Sequence, residues 1–268
     1  MRIRIFATPE VKALPFSSGF FNILTSRLGM INGWVVTEKQ PDIVHIIGCW
    51  NMEAHHLAKR MYNMRIPYIY NTMEGLMPWN KNKCIGNLPF YAQQKEAISH
   101  AALVLVGGKM EKTSMEELGW NHRIAILANP LTTKSITESE TMENLLSYYE
   151  QVANKHDLVI RNEIAKEVNL MSLNSNDAQE VMSKFLYAQY LCRRKMIPQR
   201  FLDEFSQTLT KTNYDEDLMK NMLQKKGLLL TASRIEQVME DESTLTEGFM
   251  PIPARNDKET DKIKTYIL

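Results

Sequence analysis

The sequence is poor in the features that mark secreted, membrane-spanning or disordered chains. Only three cysteines, Cys49, Cys84 and Cys192, occur in 268 residues, far apart and odd in number. That argues against a disulfide scaffold and suits a reducing cytosol. No apolar run approaches the ~18 residues that a membrane-spanning helix needs. The opening Met1 to Phe6 is one short strand before Pro9, not the long apolar core of a signal peptide. Net charge is only +1, so global charge implies no nucleic-acid partner. With 44% hydrophobic and 24% charged residues the chain has globular proportions. No repeat occurs at a solenoid period. The expectation is a cytoplasmic protein, with membrane contact at most peripheral, at the inner face.

Glycine and proline become rare in the second half. Residues 1–137 hold nine of the eleven glycines, seven of the ten prolines and all four tryptophans. They carry 15 basic against 9 acidic residues, whereas residues 138–268 carry 17 against 22. Three regions follow: an α/β domain over 1–137, a helical domain over 138–250 and a tail over 251–268. The sign asymmetry fits a basic half that meets a phosphorylated ligand or the other half, or two solvated surfaces of unequal charge.

The first region alternates short apolar runs with helical patterns. Strands are expected at Arg2–Ala7, Ile43–Ile47, Pro67–Tyr70, Ala102–Val106 and Arg123–Leu127. Helices are expected at Gly19–Leu28, Met52–Met64, Phe90–Ser99 and Met110–Leu118, with Gly119 as a stop. That order predicts a Rossmann-like parallel sheet with flanking helices. The second region reads as helices: Thr141–Asn154, one capped by Asp177 and running to Met196, one opening at Pro198, then Asp215–Lys225 and Ser233–Glu240. The tail wraps or stays loose. The fold class is therefore α/β followed by a mostly α-helical C-terminal region.

Ligands of open parallel sheets bind beyond the carboxyl ends of the strands. Four loops occupy that edge: Thr8–Ser18, Gly48–Asn51, Asn71–Asn80 and Gly107–Lys109. Ser17, Ser18 and Gly19 open a helix, where free N–H groups can approach a phosphate or hydroxyl, or simply form a turn. Gly48 permits a sharp exit from its strand, and Asn51 closes that loop. Trp50 is either a stacking platform for a sugar ring or a ring packed under the sheet edge. His45, inside a strand, reads as a satisfied core polar group. The third loop is the richest, with Glu74, Gly75, Trp79 and Lys81. Glu74 suits hydrogen bonds to substrate hydroxyls or proton abstraction, and suits a solvated loop acid equally well. No metal site and no cofactor are expected: His55 and His56 are adjacent on a helix and cannot easily share one ion.

The run from Pro41 to Thr132 resembles the N-terminal, acceptor-side domain of GT-B glycosyltransferases, close to family 4. Pro41-Asp42-Ile43-Val44-His45-Ile46-Ile47-Gly48-Cys49-Trp50 is similar to the family's P-D-x-V-H-x-H-G-x-W. Ile66-Pro67-Tyr68, then Gly75 through Pro78-Trp79, resembles its I-P-Y-x-x-x-P-H-G-M-L-D-P-W. Ala101 to Val106, Glu117-Leu118-Gly119 and Ile126 to Pro130 resemble three later motifs, the last placing Asn129 at the family's N-G. The departures are specific. Ile47 replaces a histidine. Met73, or Glu74 with a one-residue slip, stands where the family's histidine contacts the transferred sugar. Pro130 replaces a glycine and removes a backbone donor. After Thr137 no two glutamates are eight apart, so the family's E-x7-E donor motif has no counterpart.

Two functions are therefore expected. In the first, the chain is a glycosyltransferase-like protein of cell-surface glycan assembly. It would take a nucleotide-sugar and a glycan or lipid-linked acceptor, with a protein partner supplying a donor site. Glu74 is its candidate catalytic residue. Its candidate binding residues are Ser17, Ser18, Gly19, Gly48, Trp50, Asn51, Gly75, Trp79, Lys81 and Asn129. In the second, the acceptor-side sheet survives as a non-catalytic binding or scaffolding module that docks a partner through its helical half.

Overall fold

The structure, a computed structural model, describes residues 1–31, 33–38, 41–80, 88–245 and 251–267. The chain divides into two compact units, Met1–His156 and Asp157–Leu268.

The first unit is built on six parallel strands: β1 (Arg2–Ala7), β2 (Val35–Val36), β3 (Ile43–Ile47), β4 (Tyr68–Asn71), β5 (Leu103–Val106) and β6 (Ile124–Ile126). Their order across the sheet is β2-β1-β3-β4-β5-β6. The helices are α1 (Pro9–Ala13), α2 (Pro15–Leu28), α3 (Met52–Asn63), α4 (Leu88–Ser99), α5 (Lys109–Leu118) and α6 (Glu138–Asn169). This is the expected Rossmann-like arrangement. β2 adds an edge strand that the sequence did not signal, because two exposed residues carry no alternation.

Side-chain alternation along the strands fills two cores, one on each face of the sheet. Val44, Ile46, Tyr68, Tyr70, Val104 and Val106 pack with Ala54 and Leu57 of α3, Ala97 and Ile98 of α4, and Met115 of α5. The intervening Ile43, Ile47, Ile69 and Leu105 pack with Phe20, Leu24 and Leu28 of α2 and with Met142, Leu145, Tyr149 and Val152 of α6. That second core explains why the division falls after His156 and not near Thr137. The first turns of α6 supply side chains that the sheet needs.

The second unit has its own core, to which Ile160 and Val168 of α6 contribute. Its helices are α7 (Asn176–Arg194), α8 (Gln199–Lys211), α9 (Glu216–Lys225), α10 (Leu229–Glu242) and α11 (Lys258–Lys264). Ser175, not Asp177, caps α7, its side chain accepting from the Ala178 N–H. Asp177 lies in the first turn and accepts from the Asn213 N–H at 2.8 Å. The tail wraps onto this unit. Ile252, Ile263 and Tyr266 are buried in its core, and Arg234 holds Asp257 through two nitrogens. Among the described residues no helix is long and apolar enough to cross a membrane.

Candidate functional site

Three of the four expected loops leave the carboxyl ends of adjacent strands β3, β4 and β5, and side chains stitch them together. After β3 the chain turns at Gly48, with φ of 107°. A Cβ there would stand 2.5 Å from Thr8 Oγ1 and 2.9 Å from Val11 Cγ2, so the loop after β1 lies directly against it. Trp50 adopts φ of 56°, a left-handed conformation that costs energy for a bulky residue. Two bonds hold it. Its N–H donates to Gln94 Oε1 of α4 at 2.6 Å, and its indole Nε1 donates to the Gly75 carbonyl at 2.9 Å. The ring stacks on Tyr91, with centroids 6.3 Å apart. Trp50 is thus packed under the sheet edge. Asn51 caps α3, accepting from Glu53 and Ala54, and donates to Glu10 Oε2 at 3.3 Å.

The loop after β4 is a tight turn from Thr72 to Gly75, closed by the Gly75 N–H donating to the Thr72 carbonyl at 2.9 Å. Both central residues are left-handed, Met73 at φ 45° and Glu74 at φ 63°. Asn and Gly usually occupy such turns, so Met73 and Glu74 are held there by their surroundings. Gly75 is obligatory: a Cβ would meet Cys49 Cβ at 2.6 Å and the Thr72 carbonyl at 2.9 Å. The Glu74 side chain is exposed and lies over the loop after β5, where a Cβ on Gly107 would come within 3.4 Å of its Cγ. Asn80 Nδ2 donates to the Glu74 carbonyl at 3.1 Å, and the neighbouring Trp79 is 56% exposed. Lys81 lies outside the described residues.

The sequence did not single out the group that ties these loops down. Glu111, in the first turn of α5 and fully buried, accepts from the Gly107 N–H at 2.8 Å and from the Leu76 N–H at 3.1 Å. Burial pushes its carboxyl upward, against the pull of the Gly107 N–H, the Thr72 hydroxyl and the Leu76 and Glu74 N–H groups. A glutamate three residues after the Gly108 cap was the one available signal, and it reads as helix capping.

The first expected loop forms differently. Residues 9–13 and 15–28 are helical, so Ser17, Ser18 and Gly19 lie inside α2 and not on a loop. The Ser18 N–H is taken by the Leu14 carbonyl at 2.8 Å, and its hydroxyl donates to the Pro15 carbonyl at 3.2 Å. Gly19 is a packing glycine, since a Cβ would stand 2.7 Å from Leu131 Cδ1. Asn129, after β6, donates to the Phe16 carbonyl at 3.2 Å and accepts from the Leu131 N–H at 3.0 Å. These residues form a second cluster, joining the start of α2 to the segment after β6.

His45 lies in the core, its Nδ1 2.7 Å from the Tyr149 hydroxyl. Burial lowers it to about 3, so it is neutral at physiological pH. His55 points to Gln94 Oε1 at 3.0 Å, while His56 is exposed. Among the described residues no three metal-ligating side chains come together. A cavity of about 100 Å³ between α3 and α4 is lined by His55, Lys59, Glu96 and neighbours, and by none of the expected site residues. Comparison with protein-family models, with curated proteins and with solved structures gives no match to this chain.

Proposed function

We propose that the chain is a glycosyltransferase-like protein whose first unit forms a carbohydrate-handling edge, with Glu74 as its reactive carboxylate. One observation carries this reading. An exposed carboxylate is held in a left-handed turn, beyond the carboxyl ends of a parallel sheet, where such folds bind ligands. The exposed Trp79 nearby offers the flat apolar face that sugar rings stack on. The motif resemblance over Pro41 to Thr132 points to the same chemistry. Glu74 would accept a hydrogen bond or a proton from an acceptor hydroxyl. The donor would be a nucleotide-sugar, and the acceptor a glycan or a lipid-linked glycan.

The test is release of nucleoside diphosphate from a panel of nucleoside-diphosphate sugars by the full chain. Release with one donor, abolished in Glu74→Gln, is the expected result. No release and no donor binding, by the chain alone or with its native partner, would refute catalysis.

A second reading is favoured by the filled glycine positions. Leu131 occupies the space over Gly19, and Thr8 that over Gly48, so both glycines are accounted for by packing against a neighbouring side chain. On this reading the edge binds glycan without turning it over, and the helical half docks a partner. Glycan binding by the full chain without nucleotide release, and its isolation from native cells in a stable complex, would distinguish it.

A further inference from the structure

We infer that Glu111 is the positioning residue of this edge: its carboxylate is an internal anion that shapes the loops after β4 and β5 and so presents Glu74. The role assigned to Glu74 rests on the reading above; the clamp itself rests on the geometry alone. Loops with successive N–H groups in left-handed conformations form concavities that take up anions. Here the turn from Thr72 to Leu76 and the chain at Gly107 face one buried point, and the Glu111 carboxylate fills it. Oε1 takes the Leu76 N–H and Oε2 takes the Gly107 N–H.

Helix capping accounts for only half of this. A glutamate at the third helical position commonly reaches back to N–H groups just before its own helix, as Glu111 does to Gly107. The Leu76 N–H comes from a different loop, 35 residues earlier in the chain. One carboxylate therefore spans two connections and fixes their separation. The Glu74 side chain lies in the gap so defined, against Gly107. Without the anion the Leu76 and Gly107 N–H groups lose their acceptor, and the turn keeps only its own ties, the Met73 N–H on Asn71 Oδ1 at 3.2 Å and the Thr72 N–H on the Leu105 carbonyl at 3.0 Å among them. The side away from α5 is held by Trp50 Nε1 on the Gly75 carbonyl.

The experiment is chemical rescue, read by NMR on the full ¹⁵N-labelled chain. In Glu111→Ala the amides of residues 72–76 and 107 are expected to shift and to exchange about tenfold faster or more, while those of the β1 and β3 core strands stay in place. Excess sodium formate, whose carboxylate fits the vacated position, is expected to return the Leu76 and Gly107 amides towards their original shifts. Sodium chloride at the same concentration is not. Glu111→Gln keeps the shape and one carbonyl oxygen, so it is expected to lose one of the two bonds and to respond weakly to formate. It also serves as the variant to read if the alanine form does not fold. Unchanged loop amides in both variants, or changed amides that formate leaves unmoved, would overturn the inference. Neither result involves a sugar. A wild-type chain that never turns over a donor refutes the carbohydrate reading and leaves the clamp standing, and a failed rescue does the reverse.

Discussion

Gly48 and Glu236 are single residues whose surroundings, not their identities, decide what they do. At Gly48 a side chain would need a φ of 107° and would stand 2.5 Å from Thr8 Oγ1. Gly48→Ala is therefore expected to cost about 2–4 kcal/mol, from backbone strain and overpacking together. Urea unfolding followed by tryptophan fluorescence measures it, and a loss near zero would show that Thr8 and Val11 simply move aside. Glu236 is fully buried in the helical unit, with the Ile252 N–H as the donor nearest its carboxyl among the described residues. Burial pushes it up to about 9, with the Ile252 N–H opposing and the Glu216 charge adding to the rise. The unfolded carboxyl ionises near its ordinary 4.5, so between that pH and 9 the folded chain holds one more proton. Stability must then fall as pH rises through this window. Glu236→Gln removes that slope and is expected to exceed the wild type by about 2 kcal/mol or more at pH 8, the gap closing towards pH 4. Parallel pH profiles of the two proteins would refute the assignment. Neither property was legible in the sequence. A glycine that admits a neighbour's side chain looks the same as one that admits a phosphate, and a glutamate on a helix shows its burial only when the other helices are in place.

Secondary structure was more legible than its extent. β3 and β5 announced themselves as short apolar runs because parallel strands are covered on both faces. The amphipathic helices α3, α5, α8 and α9 lie within a few residues of their expected spans. The misses were helices whose pattern is diluted. α2 begins at Pro15, where Ser17, Ser18 and Gly19 look like a loop, because Pro15 suits a first helical turn and Gly19 leaves room for the Leu131 side chain. α6 runs to Asn169 through a largely exposed stretch in which even Leu158 and Val159 face outward, with Ile160 and Val168 as its buried markers. The consequence is testable. Met142, Leu145, Tyr149 and Val152 complete the core on one face of the sheet. Burying such side chains contributes roughly 1.5–3 kcal/mol each, a sum comparable to the ~5–15 kcal/mol stability of a whole domain. A fragment of residues 1–156 is expected to unfold cooperatively in urea, whereas 1–137 is expected to show no folded baseline. A cooperative transition in the shorter fragment would mean that α6 is dispensable to the sheet.

The division into two units follows from where the cores lie, and composition recorded it only approximately. Loss of glycine, proline and tryptophan placed the change near Thr137, because those residues mark loops and sheet edges. The core itself ends about five helical turns further on, inside α6. Composition left open whether the tail wraps or stays loose, since residues 256–264 are mostly charged. In the fold three apolar side chains anchor it: Ile252, Ile263 and Tyr266 join the core of the second unit. The Ile197 N–H donates to the Tyr266 carbonyl, and Arg255 and Arg234 both reach Asp257. Deleting the chain after residue 250 should therefore act as a core mutation of that unit. All four tryptophans, Trp34, Trp50, Trp79 and Trp120, belong to the first unit, while helices contribute to both. The two optical signals consequently report different parts of the molecule. In the truncated chain the urea midpoint followed by circular dichroism at the helical band is expected to fall, with a loss of about 4–9 kcal/mol from three buried side chains. The tryptophan-fluorescence midpoint is expected to stay where it is in the full chain. If both midpoints fall together, the two cores unfold as one cooperative block, and the tail stabilises the sheet as well as the helices.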